Sequence, residues 1–184
     1  MRERFPPAPS LLQRYAAVFP AVEINSSFYR PHRAATYARW AAAVPGQFRF
    51  AVKLPRSLTH ESRLVGAGHL LEHFLAEAGA LGDRLGALLV QLPPSMDFDR
   101  EVAGAFFDDL RRRFQGLVAC EPRHPSWFGG EAEALLRGSR VARVAADPAV
   151  VPDARAPGGG PACPTGVSTA ARGGTTRPIP RGTS

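Results

Sequence analysis

Glu121, Arg123, His124 and Trp127 crowd the exit of the short apolar run Val118-Ala119-Cys120, with Pro122 and Pro125 between them. The prolines stop the run from continuing as a helix, so it reads as a buried strand that delivers chemistry at its end. The same grammar recurs four times. Ala21-Val22 leads to Glu23 and Asn25, the run 48–52 leads to Lys53, the run 87–90 leads to Gln91, and the run 141–146 leads to Asp147. Five apolar runs each end in a polar side chain.

Glu23 and Glu121 are carboxylates from two different runs, a pairing that serves as general acid and base or as part of a divalent-metal site. Enough oxygen and nitrogen donors are present for a metal, but no spacing is diagnostic, and none is assigned. A structural ion network with Lys53 and Arg123 is the competing role for the same carboxylates. Lys53 is the single lysine beside 22 arginines. Unlike arginine, it can lose its proton when desolvated and act as a base or Schiff-base amine.

His60, on the loop after Lys53, and His124 are candidate proton carriers. Asn25 and Gln91 can orient a polar substrate or satisfy buried backbone. Arg123 offers a bidentate donor to a carboxylate or phosphate. Tyr29 and Trp127 could stack on a ligand ring, although packing under a loop is the commoner role of such rings. His69 and His73 imitate a helical metal pair, but they lack the acid of a zinc motif and are expected on the surface. Asp97 or Asp99 should cap a helix, and Arg111, Arg112 and Arg113 should form its solvated end.

The elements that must position these groups follow from periodicity. Ser10 can cap a helix with apolar positions at Leu11, Leu12, Tyr15, Ala16 and Phe19. Further helices are expected over 33–44, 68–81, from Asp97 or Asp99 to Phe114, and over 131–137. The 68–81 helix should turn Leu70, Leu71, Phe74, Ala78 and Leu81 inward. Strands of continuously apolar character alternate with them, as in a parallel sheet buried on both faces. Strand-end residues are spaced by 30, 38, 30 and 26 positions, close to one βα unit each. A doubly wound sheet and a (β/α)8 barrel both fit, and no glycine-rich phosphate fingerprint follows any strand. In a barrel the strand-end groups would converge on one mouth.

Composition bounds the rest. The chain has 184 residues, 45% of them hydrophobic, enough for one well-cored domain. It holds no apolar run of membrane-spanning length, and its basic start lacks the apolar segment of a signal peptide. No membrane partner and a cytoplasmic address are expected. Cys120 and Cys163 stand far apart, so no disulfide framework is expected. The net charge is +7, but residues 1–155 hold 20 basic against 16 acidic side chains, an ordinary surface that does not call for nucleic acid. Residues 156–184 contain 7 glycines, 5 prolines and no aromatic residue. Such a segment buries little and is expected to be a disordered tail.

Five ordered motifs, Val22-Glu23-Ile24-Asn25-Ser26-Ser27-Phe28-Tyr29, Phe50-Ala51-Val52-Lys53-Leu54-Pro55, Thr59-His60, Val90-Gln91-Leu92-Pro93-Pro94-Ser95 and Glu121-Pro122-Arg123-His124-Pro125-Ser126-Trp127, together resemble the YecE-like family of domains of unknown function. The resemblance covers roughly residues 11–147 and implies a TIM-barrel fold. The family opens with a Gly-Thr/Ser-Gly-Trp-like turn and continues past the Asp147 strand to an Arg-His-Gly-like motif. This chain shows neither. Residues 1–155 are therefore expected to form a partial barrel of about five βα units, strands two to six, and a reading frame that starts late and shifts near Ala156 would explain the tail.

The resulting expectation is an enzyme acting on a small polar or anionic substrate. Glu23, Lys53, His60, Glu121 and His124 would be its catalytic groups, and Asn25, Tyr29, Gln91, Arg123, Trp127 and Asp147 its substrate contacts. The alternative is a non-catalytic truncated or frameshifted remnant, or a binding module. The sequence specifies no cofactor and no oligomeric state.

Overall fold

The computed structural model describes residues 10–145 and 151–160. Ser10 opens α1 (Leu11–Ala16) with a capping box: its hydroxyl accepts from the Gln13 amide at 3.2 Å, and the Gln13 side chain accepts from the Ser10 amide at 3.1 Å. The chain then alternates β1 (Ala21–Ile24), α2 (Ala34–Ala42), β2 (Arg49–Lys53), α3 (Gly68–Ala78), β3 (Leu85–Gln91), α4 (Arg100–Arg113), β4 (Leu117–Glu121), α5 (Gly130–Gly138) and β5 (Val141–Arg143). Asp99 caps α4 by accepting from the amides of Glu101 and Val102 at 2.9 and 3.0 Å. A short β6 (Gly158–Gly159) ends the described residues.

The sheet order is β1-β2-β3-β4-β5-β6. The first five strands are parallel neighbours in sequence order, and β6 runs antiparallel to β5. A doubly wound sheet reverses its strand order partway across, so this order sets that alternative aside. The fold is a mixed α/β sheet that is open among the described residues: β1 and β6 are its edges.

Alternation of side chains along each strand gives the sheet two unlike faces. Ile24, Phe50, Val52, Leu88, Val90, Val118, Cys120 and Val141 share one core cluster with Tyr37 of α2, Leu71 and Phe74 of α3, Phe107 and Leu110 of α4 and Leu136 of α5. Each large side chain fully buried there contributes about 1.5–3 kcal/mol of transfer free energy. The opposite parity carries mostly small and polar residues in register, with two leucines among them: Glu23, Ala51, Ala87 and Leu117 form one row, and Lys53, Leu89, Ala119 and Ala142 the next. Gln91 and Glu121 form a third. Between Phe50 and Ala51 the register to β3 slips, and at this bulge a Cβ on Gly86 would stand 2.9 Å from that of Arg49.

Several expectations need correction. Leu70 is 43% exposed, because α3 turns Leu71, Phe74 and Ala78 inward instead. The helix predicted to reach Leu81 ends at Ala78 and tightens into a 3-10 segment over Gly79–Arg84. Arg111 is no solvated helix end: it donates to the carbonyls of Ser139 at 2.8 Å, Gly116 at 2.6 Å and Arg140 at 2.5 Å, tying together the turns that lead into β4 and β5. Arg112 and Arg113 do stay at the surface, on Asp109 at 3.0 and 3.2 Å.

The start of the expected disordered tail also differs. Just before it Ala154 is fully buried, and within it Gly158–Gly159 pairs with β5. The reason is Arg143, whose guanidinium donates to the carbonyls of Asp153 and Ala156, each at 3.2 Å, while Glu133 accepts from the Gly159 amide at 2.6 Å. The rest of the predicted tail, with Cys163, lies outside the described residues.

Candidate strand-end site

Glu23, Lys53, Gln91 and Glu121 leave the sheet on the same face, at or next to the last residue of β1 to β4. Parallel pairing of four consecutive strands brings about this convergence, since every carboxyl end points the same way. Lys53 is the most enclosed of the four, at 2% exposure. Its ammonium lies 4.4 Å from the centroid of Phe28, in the short 3-10 turn Ser26–Phe28 that follows β1. His60 meets the same ring edge to face at 4.8 Å. Lys53, Phe28 and His60 thus stack across the ends of β1 and β2.

Local chemistry fixes both supports of this stack. The buried Ser27 hydroxyl bridges the strand ends, contacting the carbonyl of Ile24 at 2.9 Å and that of Lys53 at 2.6 Å. The phenol of nearby Tyr37 is pushed up to about 12 by burial first and Glu77 second, against the lowering effect of Ser27. His60 belongs to a π-helical turn, Ser57–Glu61, a geometry frequent at functional sites. Its Nδ1 lies 2.9 Å from the Thr59 hydroxyl. Burial, then Lys53 and Arg56, hold the His60 imidazole below its ordinary value, with Glu61 opposing.

At the other end of the face, Arg123 folds back onto the Glu121 carboxylate in a close ion pair. The Glu121 side chain is only 12% exposed, so charge compensation here matters. Arg123 Nε and Asn25 Oδ1 are buried without a hydrogen-bond partner among the described residues. Buried orphan polar atoms are rare in folded proteins and call for a water or a ligand. His124 is half-buried and caps the 3-10 turn Pro125–Phe128 through its Nδ1.

Two aromatic expectations part company. Tyr29 is 66% exposed, edge to face with Phe28 at 5.0 Å, and is free to meet a ligand at the rim. Trp127 has no exposed surface, its indole N–H donates to the Met96 carbonyl at 3.0 Å, and Phe98 covers its ring at 5.1 Å. Trp127 is therefore a core residue under the site, and its expected place against substrate is corrected. Asp147 lies outside the described residues. His69 and His73 are exposed, His73 facing Glu77 at 3.7 Å. Among the described residues no three His, Cys, Asp or Glu side chains gather around a common point.

Sequence reasoning missed Ser27, Phe28 and the Arg143–Glu133 clasp. Ser27 and Phe28 lie inside a motif noted for Glu23 and Asn25, and no spacing rule marks a serine that will bridge two carbonyls. Two surface grooves, one where residues 64–68 face α4 and one where residues 16–20 face residues 45–48, lie away from these side chains. The convergence of functional groups, not a concavity, marks the candidate site.

Residues 3–181 match the family described as protein of unknown function DUF72, and the chain belongs to that family. It is 32% identical over 131 residues to the UPF0759 protein YecE of Escherichia coli (strain K12), spanning 69% of this chain and 47% of that one. It is 30% identical over 124 residues to the UPF0759 protein YunF of Bacillus subtilis (strain 168), spanning 64% and 44%. The chain thus spans a little under half the length of these curated relatives.

Among solved structures, a DUF72 family protein from Thermotoga maritima MSB8 is similar with a TM-score of 0.63 and 27% identity over 85% of this chain and 61% of that one. One from Enterococcus faecalis V583 has a TM-score of 0.64 at 24% identity, over 74% and 53%, and speaks to the fold alone. Among the described residues no helix is long and apolar enough to cross a membrane.

Proposed function

We propose that the open sheet is an arc of a (β/α)8 barrel and that its strand-end face binds a small anionic or polar molecule and moves a proton on it. The observation that carries this reading is Lys53, a charged side chain at 2% exposure on the same face as Glu23, Gln91 and Glu121. Desolvating a cation is costly, and a core that needed only stability would have an apolar residue there. Sequential parallel order supports the barrel, since it brings successive strand ends to one mouth.

In this proposal Glu23 and Glu121 are acid and base, Lys53 and Arg123 stabilise negative charge, and His60 and His124 carry protons. Asn25, Gln91 and Tyr29 orient the substrate, and Asp147 is a further substrate contact in the same proposal. A cytoplasmic setting belongs to the same proposal.

The test is a thermal-shift screen of the purified chain against inorganic phosphate, sugar phosphates and small carboxylates, repeated with Lys53→Met and Glu121→Gln. One class of anion should raise Tm in the parent and leave Lys53→Met unmoved. Equal shifts in parent and variants, or none in any, would sink the proposal.

The edge at β1, open among the described residues, favours a second reading, a non-catalytic remnant or binding module. A chain of that kind should show a broad, non-cooperative thermal transition, whereas a sharp one supports the site.

A further inference from the structure

His124 and Ser126 are joined by hydrogen bonds whose directions can be assigned by counting donors. The Phe98 backbone amide lies 2.7 Å from Ser126 Oγ. An amide N–H can only donate, so the hydroxyl oxygen accepts there. The Ser126 backbone amide lies 3.3 Å from His124 Nδ1 and also can only donate, so Nδ1 carries a lone pair. The remaining contact, Ser126 Oγ to His124 Nδ1 at 2.8 Å, then has one solution: the hydroxyl donates. The ring proton of neutral His124 is left on Nε2, which makes no hydrogen bond among the described residues.

The anchor of this chain is deep. Trp127, the next residue, is wholly buried with its indole N–H on the Met96 carbonyl, and its amide donates to the His124 carbonyl at 3.2 Å. The loop after β3 and the loop after β4 are stitched together at 96–98 and 124–127, with Ser126 as the polar stitch. His60 lacks such a lock. Its Nδ1 faces the Thr59 hydroxyl, which can also donate to the Pro55 carbonyl at 3.5 Å and so turn either way. Two imidazoles at one sheet end are held differently.

We infer that Ser126 is a positioning residue that fixes His124 as the Nε2–H tautomer, so that His124 presents a hydrogen-bond donor to an acceptor oxygen of the substrate, a carbonyl, carboxylate or phosphate oxygen. His60 keeps the freedom to take up a proton. The assignment of a ligand rests on the reading of the strand-end face above, but the tautomer does not.

The experiment is long-range nitrogen–proton NMR of the imidazole rings, at a pH high enough to keep them neutral, with His124→Gln to assign the resonances. His124 should show an unprotonated Nδ1 and a protonated Nε2 in the parent chain. In Ser126→Ala the two nitrogens should move toward averaged values and the Phe98 amide should exchange about tenfold faster, the equivalent of one hydrogen bond. Ser126→Thr, which keeps the hydroxyl, should restore both signatures. A protonated Nδ1 in the parent, or an unchanged ring pattern in Ser126→Ala, overturns the inference.

Inorganic phosphate is the probe for the donor: the Nε2 proton resonance of the parent should shift on titration, with several-fold weaker affinity in Ser126→Ala. A correct tautomer whose Nε2 resonance ignores both phosphate and acetate would uphold the lock and overturn the anionic ligand instead.

Discussion

Lys53 and Phe28 form a cation–π pair across the ends of β1 and β2, with the ammonium 4.4 Å from the ring centroid. Such contacts reach about 2 kcal/mol when the cation is desolvated, and Lys53 is 2% exposed. Phe28→Leu should lower unfolding stability by about 2 kcal/mol, whereas Phe28→Tyr keeps a π-face and should cost under about 1 kcal/mol. Urea titration at equilibrium would check this; equal losses in both variants would show that the ring acts by volume alone.

His60 sets a dependence on pH. Burial, Lys53 and Arg56 hold it below 6.5 against Glu61, and burial and Arg30 do the same to His32 against Glu77. The folded state therefore binds fewer protons than the unfolded chain between the folded pKa and 6.5. This stability is complete above 6.5 and falls as pH drops through 6.5 toward the folded value. Tm measured across that window should decline toward acid in the parent and flatten in His60→Gln/His32→Gln. A double variant with the parent slope would refute the assignment.

The clasp on β6 predicts local opening without global collapse. Glu133 is held below the ordinary carboxylate range by the Gly159 amide first, then by Arg143 and Arg137, while burial opposes. Its contribution is present above the unfolded value of 4.5 and is lost as pH falls through the lower folded value. Arg143→Leu removes two carbonyl contacts of a charged donor and should cost about 2 kcal/mol. Hydrogen exchange at the Gly160 amide, which donates to Val141 at 2.8 Å, should accelerate most, with the amides of β3 unchanged.

Trp127 separates packing from hydrogen bonding. Trp127→Phe leaves the buried Met96 carbonyl without its donor and should cost about 1–3 kcal/mol. Trp127→Ala opens a cavity and should cost about 3–5 kcal/mol. Because the indole N–H helps hold the 96–98 and 124–127 loops together, Trp127→Phe should also loosen the Phe98–Ser126 contact, which hydrogen exchange at the Phe98 amide would test.

The strands and helices were legible because burial on both faces writes continuous apolar runs, as in Val118-Ala119-Cys120, and because caps such as Ser10 and Asp99 act within three residues. Strand-end residues of the first four strands could be named for the same reason. What escaped the sequence depends on contacts through space. Whether Trp127 faces a ligand or the core is decided by Met96 and Phe98, some thirty residues earlier. Residues 156–160 have almost no side chain to bury, yet their backbone is held by Arg143 and Glu133. Composition registers the missing side chains and not the partners of the backbone.

The rows of alanine on the strand-end face have a mechanical consequence. Ala51, Ala87, Ala119 and Ala142 put single methyl groups on one side of strands whose other side carries Phe50, Val52, Leu88, Val90 and Val118. The strand-end face therefore carries less side-chain volume than the helix-covered face around Glu23, Lys53, Gln91 and Glu121, and enlarging Ala51 to leucine, two residues from Lys53 on the same face of β2, should crowd that lysine.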